Sequence, residues 1–336
     1  MKILYPLFFA TLFCFTVFAQ NPVETIVIEG IEYHGAGDYD KAIEIYRTAL
    51  ELEPNSPLVF YEIAYSYFEK KDYDNAIAYA DKVLAQNGEH MQAAYMVKGS
   101  ALELTGKVNE SNALFEKAIK ETGGHFLLYY NLGINHLKAG DLANSEKNIL
   151  KALEVNFTHT SSHLALANIH RQLNNPVKAL LSAHFFLLLE PNTNRSEEAY
   201  DILIDAMSGN VSHDLDKPNT ININFSPNED DPFSSASLML SLLEASKSSE
   251  KNSGKSKIQL FTENTGSIFK ILGELNRDAY DDIWWTEYIP FFYELALSEH
   301  LEAYCMYIIY SFDEDAFNWL VENEDKLNAF SDWFDE

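Results

Sequence analysis

The residues best placed for metal chemistry in this sequence are histidines near its middle. His159 and His163 are four residues apart, and His170 follows seven residues after His163, so a helix would carry imidazoles on one face. Neutral imidazole is a common zinc ligand at such a spacing. However, neither a cysteine nor an acidic residue at ligand spacing accompanies the three histidines. The sequence therefore predicts no metal site and no cofactor.

Other reactive groups are few. Cys305 lies in the apolar run AYCMYIIY, which predicts a buried and inert thiol. The acidic clusters at 281–282 and 313–315 lack the alternation and the glycine of a calcium loop. The sequence also lacks G-x-S-x-G, H-E-x-x-H and a glycine-rich phosphate loop. These features predict a protein that is not an enzyme. An unrecognised hydrolase with a carboxylate pair in the acidic C-terminal region is the alternative that stays open.

Charge and hydropathy limit the class of partner. The net charge is −27, and residues 277–336 contribute 16 acidic against two basic side chains. This charge disfavours nucleic acid and anionic lipid as partners.

The N-terminus has the pattern of an export signal. Residues 1–19 combine a lone Lys2, an apolar run and Val17-Phe18-Ala19, which predicts a signal peptide cleaved before Gln20. The exposed Gln20 resembles the start of exported proteins of the Bacteroidota, so we expect a periplasmic or cell-envelope location. No later uncharged run reaches the 18 residues that a membrane-spanning helix needs, which predicts no membrane insertion after cleavage.

The elements that must position any site are helical pairs that repeat about every 34 residues. Residues 23–56 show the pattern best, with small, aromatic and proline residues at restrained places. These are Gly30, Tyr33, Ala42, Tyr46, Ala49 and Pro54. The segment resembles a tetratricopeptide repeat, and four further units follow at 57–90, 92–125, 126–159 and 160–193.

Small residues mark the crossing of the two helices in every unit. The eighth place holds Gly30, Ala64, Gly99, Gly133 and Ala167, and the twentieth holds Ala42, Ala76, Ser111, Ser145 and Ala179. Small side chains allow two antiparallel helices to approach closely. The sequence therefore predicts an all-α fold, namely a right-handed helical solenoid of five repeats followed by a helical C-terminal region.

The resemblance also implies a binding surface, because the first helices of these repeats line a concave groove that holds another protein. A clamp for a terminal carboxylate is not expected, because Arg171 and Asn168 are the only suitable polar groups at the groove places. We expect an apolar, tyrosine-rich groove that binds an apolar or amphipathic segment. Its predicted residues are Tyr61, Tyr65, Phe68, Met96, Tyr130, Ile134, Leu137, Asn168 and Arg171.

The repeat register also accounts for the histidines. His136 and His170 stand at the eleventh place of their units, where Tyr33 and Tyr67 stand in the first two. They are therefore predicted to be packing residues rather than ligands, as is His163 at the fourth place.

The remainder of the chain divides by composition. We predict a solenoid with its capping helix (195–208) over residues 20–209, a linker over 210–235 and a helical domain over 236–336. Within the linker, residues 220–225 alternate apolar and polar types, which predicts an extended piece that could occupy the groove.

The C-terminal domain is rich in aromatic residues. Three of its helices are predicted at 283–298, 301–312 and 315–332, with most of the rings in the core. The alternative to a protein-binding scaffold is a carbohydrate- or envelope-polymer-binding protein that uses C-terminal aromatic residues such as Trp284 and Trp285.

Overall fold

The structure is a computed structural model that describes residues 21–208, 211–213, 221–226, 228, 230–275 and 280–335. The predicted signal peptide lies outside the described residues. The chain divides into two compact units, residues 1–114 and residues 115–336, and the division falls within the helix Val108–Thr122.

The five predicted units are helical hairpins. Their helices, in chain order, are α1 (Pro22–Gly35), α2 (Tyr39–Leu52), α3 (Pro57–Glu69), α4 (Tyr73–Leu84), α5 (Met91–Leu104), α6 (Val108–Thr122), α7 (Phe126–Lys138), α8 (Leu142–Val155), α9 (Thr160–Gln172) and α10 (Pro176–Leu189). The predicted capping helix is also present, as α11 (Ser196–Ser208). The all-α fold class is confirmed.

Aspartates begin three of the second helices. Asp38, Asp72 and Asp141 precede α2, α4 and α8, and the carboxylate of each accepts a hydrogen bond from a backbone N–H in the first turn. Such caps satisfy donors that the helix leaves unpaired. A left-handed residue precedes each of these aspartates, namely Gly37 in the first repeat, Lys71 (φ 65°) in the second and Gly140 in the fourth.

Close contact between the paired helices explains the small residues at the eighth place. A Cβ atom added to Gly30 would lie 2.2 Å from the ring of Tyr46, and one added to Gly133 would lie 2.7 Å from Ile149. Ala42, Ala64, Ala76, Ala167 and Ala179 are buried, as is Gly99. In the third and fourth units the serine at the twentieth place also donates a hydrogen bond of 2.8 Å to the glycine carbonyl at the eighth, from Ser111 to Gly99 and from Ser145 to Gly133.

In the unit of residues 1–114, the core lies between the two layers of helices. Val27, Tyr46, Ile63 and Val83 are among the side chains that fill it, together with the buried alanines. The tyrosine hydroxyl of Tyr46 reaches Glu62 at 3.5 Å, so its polar end is not left without a partner.

In the unit of residues 115–336, the chain after α11 is mostly helical. A short antiparallel pair of strands comes first, β1 (Val211–His213) and β2 (Ile221–Ile223). The helices that follow are α12 (Ser234–Ser246), α13 (Lys257–Glu274), α14 (Ile289–Leu297), α15 (Leu301–Ile309), α16 (Glu314–Glu322) and α17 (Glu324–Asp335).

Two of the predicted C-terminal helices are interrupted. Residues 284–288 form a π-helical turn before α14, and Pro290 stands in the first turn of α14. Proline has no N–H to donate to the preceding turn, which accounts for the break in the α-helical pattern. The predicted helix 315–332 is two helices, since Asn323 leaves the helical conformation with φ −124° and ψ 42°.

The C-terminal helices share one hydrophobic core with the fourth and fifth repeats. Phe185 and Phe186 of α10 lie in the same cluster as Phe269, Phe292 and Tyr304. The domain boundaries at 209 and 236 stay predictions, and the core extends past both of them.

The extended piece predicted at 220–225 is seen in part. Residues 221–223 pair with β1, and residues 224–226 border a cleft beside the turn between α9 and α10. The described residues 221–226 have β1, α12 and that turn among their neighbours, and the hypothesis that the piece occupies the groove stays a prediction.

Candidate functional site

Four aromatic rings of the compact unit of residues 1–114 stack one after another. The rings of His34 and Tyr65 have centroids 4.7 Å apart, those of Tyr65 and Tyr61 are 6.1 Å apart, and those of Tyr61 and His90 are 5.9 Å apart. The Tyr61 ring is nearly parallel to both of its neighbours, at 5° and 8°. We call His34, Tyr65, Tyr61 and His90 the aromatic row.

The arrangement of the first helices explains the row. Helix α3 contacts both α1 and α5, so its exposed face adjoins both neighbours. Tyr61 and Tyr65 are four residues apart and therefore lie one above the other on α3. His34 comes from the last turn of α1, and His90 is the left-handed residue (φ 66°) that precedes α5.

The row is half-buried, with one side on the core and the other open. Tyr61, Tyr65 and Phe68 all pack against the core of residues 23–97 and keep part of their surface exposed. Nδ1 of His34 hydrogen-bonds to the Ser66 hydroxyl at 2.8 Å, which fixes the ring. Met96 on α5 is also half-buried.

The pKa shifts favour the neutral form of three rings of the row, His34, Tyr61 and Tyr65, near neutral pH. Burial raises the pKa of Tyr61 and of Tyr65. Burial also lowers the pKa of His34, against the opposing charge of Glu69. The row therefore offers flat apolar surface with a few hydroxyl and imidazole groups. Such a surface suits an apolar or amphipathic segment of a partner.

The predicted groove residues in the compact unit of residues 115–336 have different surroundings. Tyr130, Ile134 and Leu137 are half-buried on α7 and pack against the core. The ring of Tyr130 meets His159 edge to face at 4.8 Å, and burial raises its pKa.

Asn168 and Arg171 are engaged within the protein. The Asn168 amide donates a hydrogen bond of 2.8 Å to Glu198 on α11, and Arg171 donates one of 3.1 Å to the Asn168 oxygen. Arg195 nearby pairs with Glu190. This pairing gives no support to a carboxylate clamp. All nine predicted groove residues stay predictions as contacts of a partner.

The two tryptophans named for the carbohydrate-binding alternative are buried. Trp284 is 1% exposed and Trp285 4% exposed, so neither ring can serve as an open platform for sugar. Trp284 lies against His170 at 5.1 Å, and Trp285 stacks on Phe233 at 5.2 Å. The use of these two rings for sugar binding is therefore wrong, because Trp284 is buried against His170 and Trp285 against Phe233 and Tyr280.

The three histidines lie in different surroundings. His163 is fully buried between the Tyr288 hydroxyl and the carbonyl of Phe157, with its ring nitrogens at 2.5 and 2.6 Å from them. Because a carbonyl only accepts, Nε2 of His163 carries the proton and Nδ1 accepts from Tyr288. His170 is buried beside Trp284, and His159 lies against Phe126 and Tyr130. In the described part of the chain, histidine, cysteine and acidic side chains nowhere gather in threes as a metal site would need.

Cys305 is a buried free thiol, as predicted, and burial raises its pKa to about 12. Such a thiol stays protonated at neutral pH and is a poor nucleophile.

His90 is the member of the row that sequence reasoning missed. It is the last residue of the second repeat (57–90), outside the places that line the groove in this type of repeat. Its position depends on a left-handed backbone that no glycine or asparagine announces at that residue. The turn between α4 and α5 brings the imidazole to the end of the row.

Comparison with known proteins places the chain among repeat proteins. Tetratricopeptide repeat profiles match residues 33–100 and 127–159. The photosystem I assembly protein Ycf3 of Prochlorococcus marinus is 31% identical over 125 residues, which cover 31% of this chain and 72% of that protein. The chain belongs to the tetratricopeptide repeat family, whose members generally mediate protein–protein interaction and are typically non-catalytic scaffolds.

Other relatives match over a smaller share of their length. The small glutamine-rich tetratricopeptide repeat-containing protein 2 of Mycosarcoma maydis is 29% identical over 37% of this chain and 35% of its own. The TPR repeat-containing protein MJ1428 of Methanocaldococcus jannaschii is 27% identical over 58% of this chain and 30% of its own. The chain thus spans about a third of the length of these two relatives.

Among solved structures, TTC0263, a thermophilic tetratricopeptide repeat protein of Thermus thermophilus, has a TM-score of 0.45 and 18% identity. The match covers 55% of this chain and 98% of that one. Pseudomonas aeruginosa PilF has a TM-score of 0.45 and 20% identity, over 55% of this chain and 88% of that one.

Within the described residues, every helix is too short or too polar to cross a bilayer.

Proposed function

We propose that this protein is a non-enzymatic scaffold that holds an apolar or amphipathic segment of another protein against the aromatic row. The family supports binding of protein in general, and the row supports this particular surface. The observation that carries the proposal is the stack of four half-buried rings, three on the first helices α1 and α3 and the fourth, His90, immediately before α5. Aromatic rings anchored on one side bury area at little cost in side-chain entropy when a partner covers the other side.

We further propose that the protein works outside the cytoplasm, in the periplasm or at the cell envelope. The basis is the composition of residues 1–19, with an apolar run after Lys2 and small residues before Gln20. N-terminal sequencing of protein isolated from the source cells should begin at Gln20. A mature protein that still begins at Met1 would contradict export by this signal.

The binding proposal is tested by affinity capture from an envelope extract, with wild type and Tyr61→Ala/Tyr65→Ala as baits. The wild type should retain a protein that the double variant retains about tenfold less, since each anchoring ring contributes more than about 1 kcal/mol.

Tyr33→Ala is the matched control, because Tyr33 is an exposed tyrosine of α1 outside the row. It should retain the partner as the wild type does. Equal capture by the double variant, with its circular dichroism unchanged, would refute the role of the row.

A further inference from the structure

A second apolar groove lies near the end of the chain, within the unit of residues 115–336. It is a cleft of about 410 Å³ between α15, α16 and α17. We call it the C-terminal groove. Its lining is Tyr307, Tyr310, Phe317, Leu320, Val321, Glu324 and Leu327.

The walls of this groove are unusually open. Phe317 is 50% exposed and Val321 65% exposed, and the two lie four residues apart on one face of α16. Leu320 forms the floor at 8% exposure. Large apolar side chains that converge on one cleft, rather than being scattered singly, are typical of an interaction surface.

The surroundings of the groove are acidic. Glu324 lines it, and Glu322 and Asp325 adjoin it in the chain. Lys326 is the one lysine or arginine among residues 280–335, and its ammonium group pairs with Glu302 at 3.0 Å. The charge beside this groove is therefore strongly negative and has no free counter-charge in those residues.

We infer that the C-terminal groove binds a basic amphipathic helix of another protein. Apolar residues of that helix at intervals of three and four fill the cleft between Tyr310, Phe317 and Val321. Its lysines and arginines face the acidic residues around the cleft. A second copy of this chain fits poorly as the occupant, because it brings the same negative charge to the contact.

The test uses the full chain and a synthetic helical peptide of leucine and lysine, with leucines at i, i+3, i+4 and i+7. A companion peptide carries glutamate in place of every lysine. Binding is measured by titration calorimetry for the wild type and for Phe317→Ala/Val321→Ala, whose replaced side chains are exposed. Leu297→Ala is the matched control, since Leu297 is a 61% exposed leucine outside the groove.

We expect the wild type and Leu297→Ala to bind the lysine peptide equally, and the double variant to bind it about tenfold or more weakly. The glutamate peptide should not bind. Raising the salt from about 50 mM to about 500 mM should weaken binding, because it screens exposed charges.

Several outcomes would overturn the inference. They are no binding of the lysine peptide, equal binding by the double variant, and equal binding of the glutamate peptide. Self-association of the wild type that Phe317→Ala/Val321→Ala abolishes would make a second copy the occupant. Loss of peptide binding in Tyr61→Ala/Tyr65→Ala but not in Phe317→Ala/Val321→Ala would assign the peptide to the aromatic row.

Discussion

Gly30 shows how a single residue sets the spacing of a helical pair. A Cβ atom there would lie 2.2 Å from a ring carbon of the fully buried Tyr46, whereas one at Gly35 of the same helix would meet nothing within 4 Å. The eighth place of the repeat is therefore small because the neighbouring helix occupies the space, and not because the backbone needs a glycine there.

Gly30→Ala should lower the free energy of unfolding by about 1–3 kcal/mol, since overpacking forces the rings and helices apart. Urea unfolding followed by circular dichroism measures the change. Gly35→Ala is the control, and it should be neutral or mildly stabilising because alanine favours the helix. Equal effects of the two substitutions would mean that the close contact at Gly30 does not limit the packing.

Buried histidines make the stability of the compact unit of residues 115–336 sensitive to acid. Burial lowers the pKa of His163, His170 and His184 from 6.5 to about 3. Between those two pH values the unfolded chain binds a proton at each histidine and the folded protein does not. The stabilisation is complete above pH 6.5 and declines as the pH falls toward 3.

His163→Gln should therefore lower stability at neutral pH, where the contacts of His163 to Tyr288 and Phe157 are lost, and should also flatten the pH dependence. The difference in unfolding free energy between wild type and variant should shrink by about 1.4 kcal/mol per pH unit below 6.5. Denaturant titrations at several pH values between about 7 and 4 measure it. Parallel curves for the two proteins would contradict a neutral buried His163.

At the residue scale, the repeat register was sufficient to identify His163 and His170 as buried packing residues. It could not predict the partners of His163 and His184, Tyr288 and Tyr304, which are 125 and 120 residues away in the chain. Those contacts depend on how the C-terminal helices fold back, and no local pattern specifies that.

At the scale of the secondary-structure elements, N-terminal caps stabilise the beginnings of helices, and Asp72 is such a cap in the exposed turn before α4. Its carboxylate accepts hydrogen bonds from the backbone N–H of Asn75 at 3.3 Å and from the Asn75 amide at 2.8 Å. We expect Asp72→Ala to cost about 1 kcal/mol of stability, because the first turn of α4 loses its acceptor. Thermal unfolding measures the loss, and Asp72→Asn, which keeps an acceptor oxygen, should retain most of the stability. A stable Asp72→Ala would show that the cap contributes little here.

The sequence specified the repeat helices better than the C-terminal ones. Period and turn residues agree in residues 22–189, and the observed helices follow the predicted units there. Periodicity could not reveal the π-helical turn at 284–288, because aromatic residues continue at helical spacing through it, and it also did not reveal the break at Asn323. Pro290 in the first turn of α14 accounts for the first of these departures.

At the scale of the whole molecule, composition predicted a boundary between the repeats and the C-terminal region. The hydrophobic core nevertheless continues across that boundary. In the described residues 280–335 the acidic side chains are exposed, apart from the half-buried Asp313, and the apolar faces of the same helices share a core with α9 and α10. Surface composition can therefore change along a chain whose core continues. The burial of Trp284 and Trp285 follows from the same packing.

The central claim, that the aromatic row is the surface that holds a partner, is tested most directly by hydrogen–deuterium exchange of the full chain with and without the captured protein. We predict slower exchange on binding in α3 (residues 57–69) and at the C-terminal end of α1, where the row lies. Helices α2 and α4, which contribute no ring to the row, should change little. Protection confined to other parts of the chain, with α3 unchanged, would contradict the account.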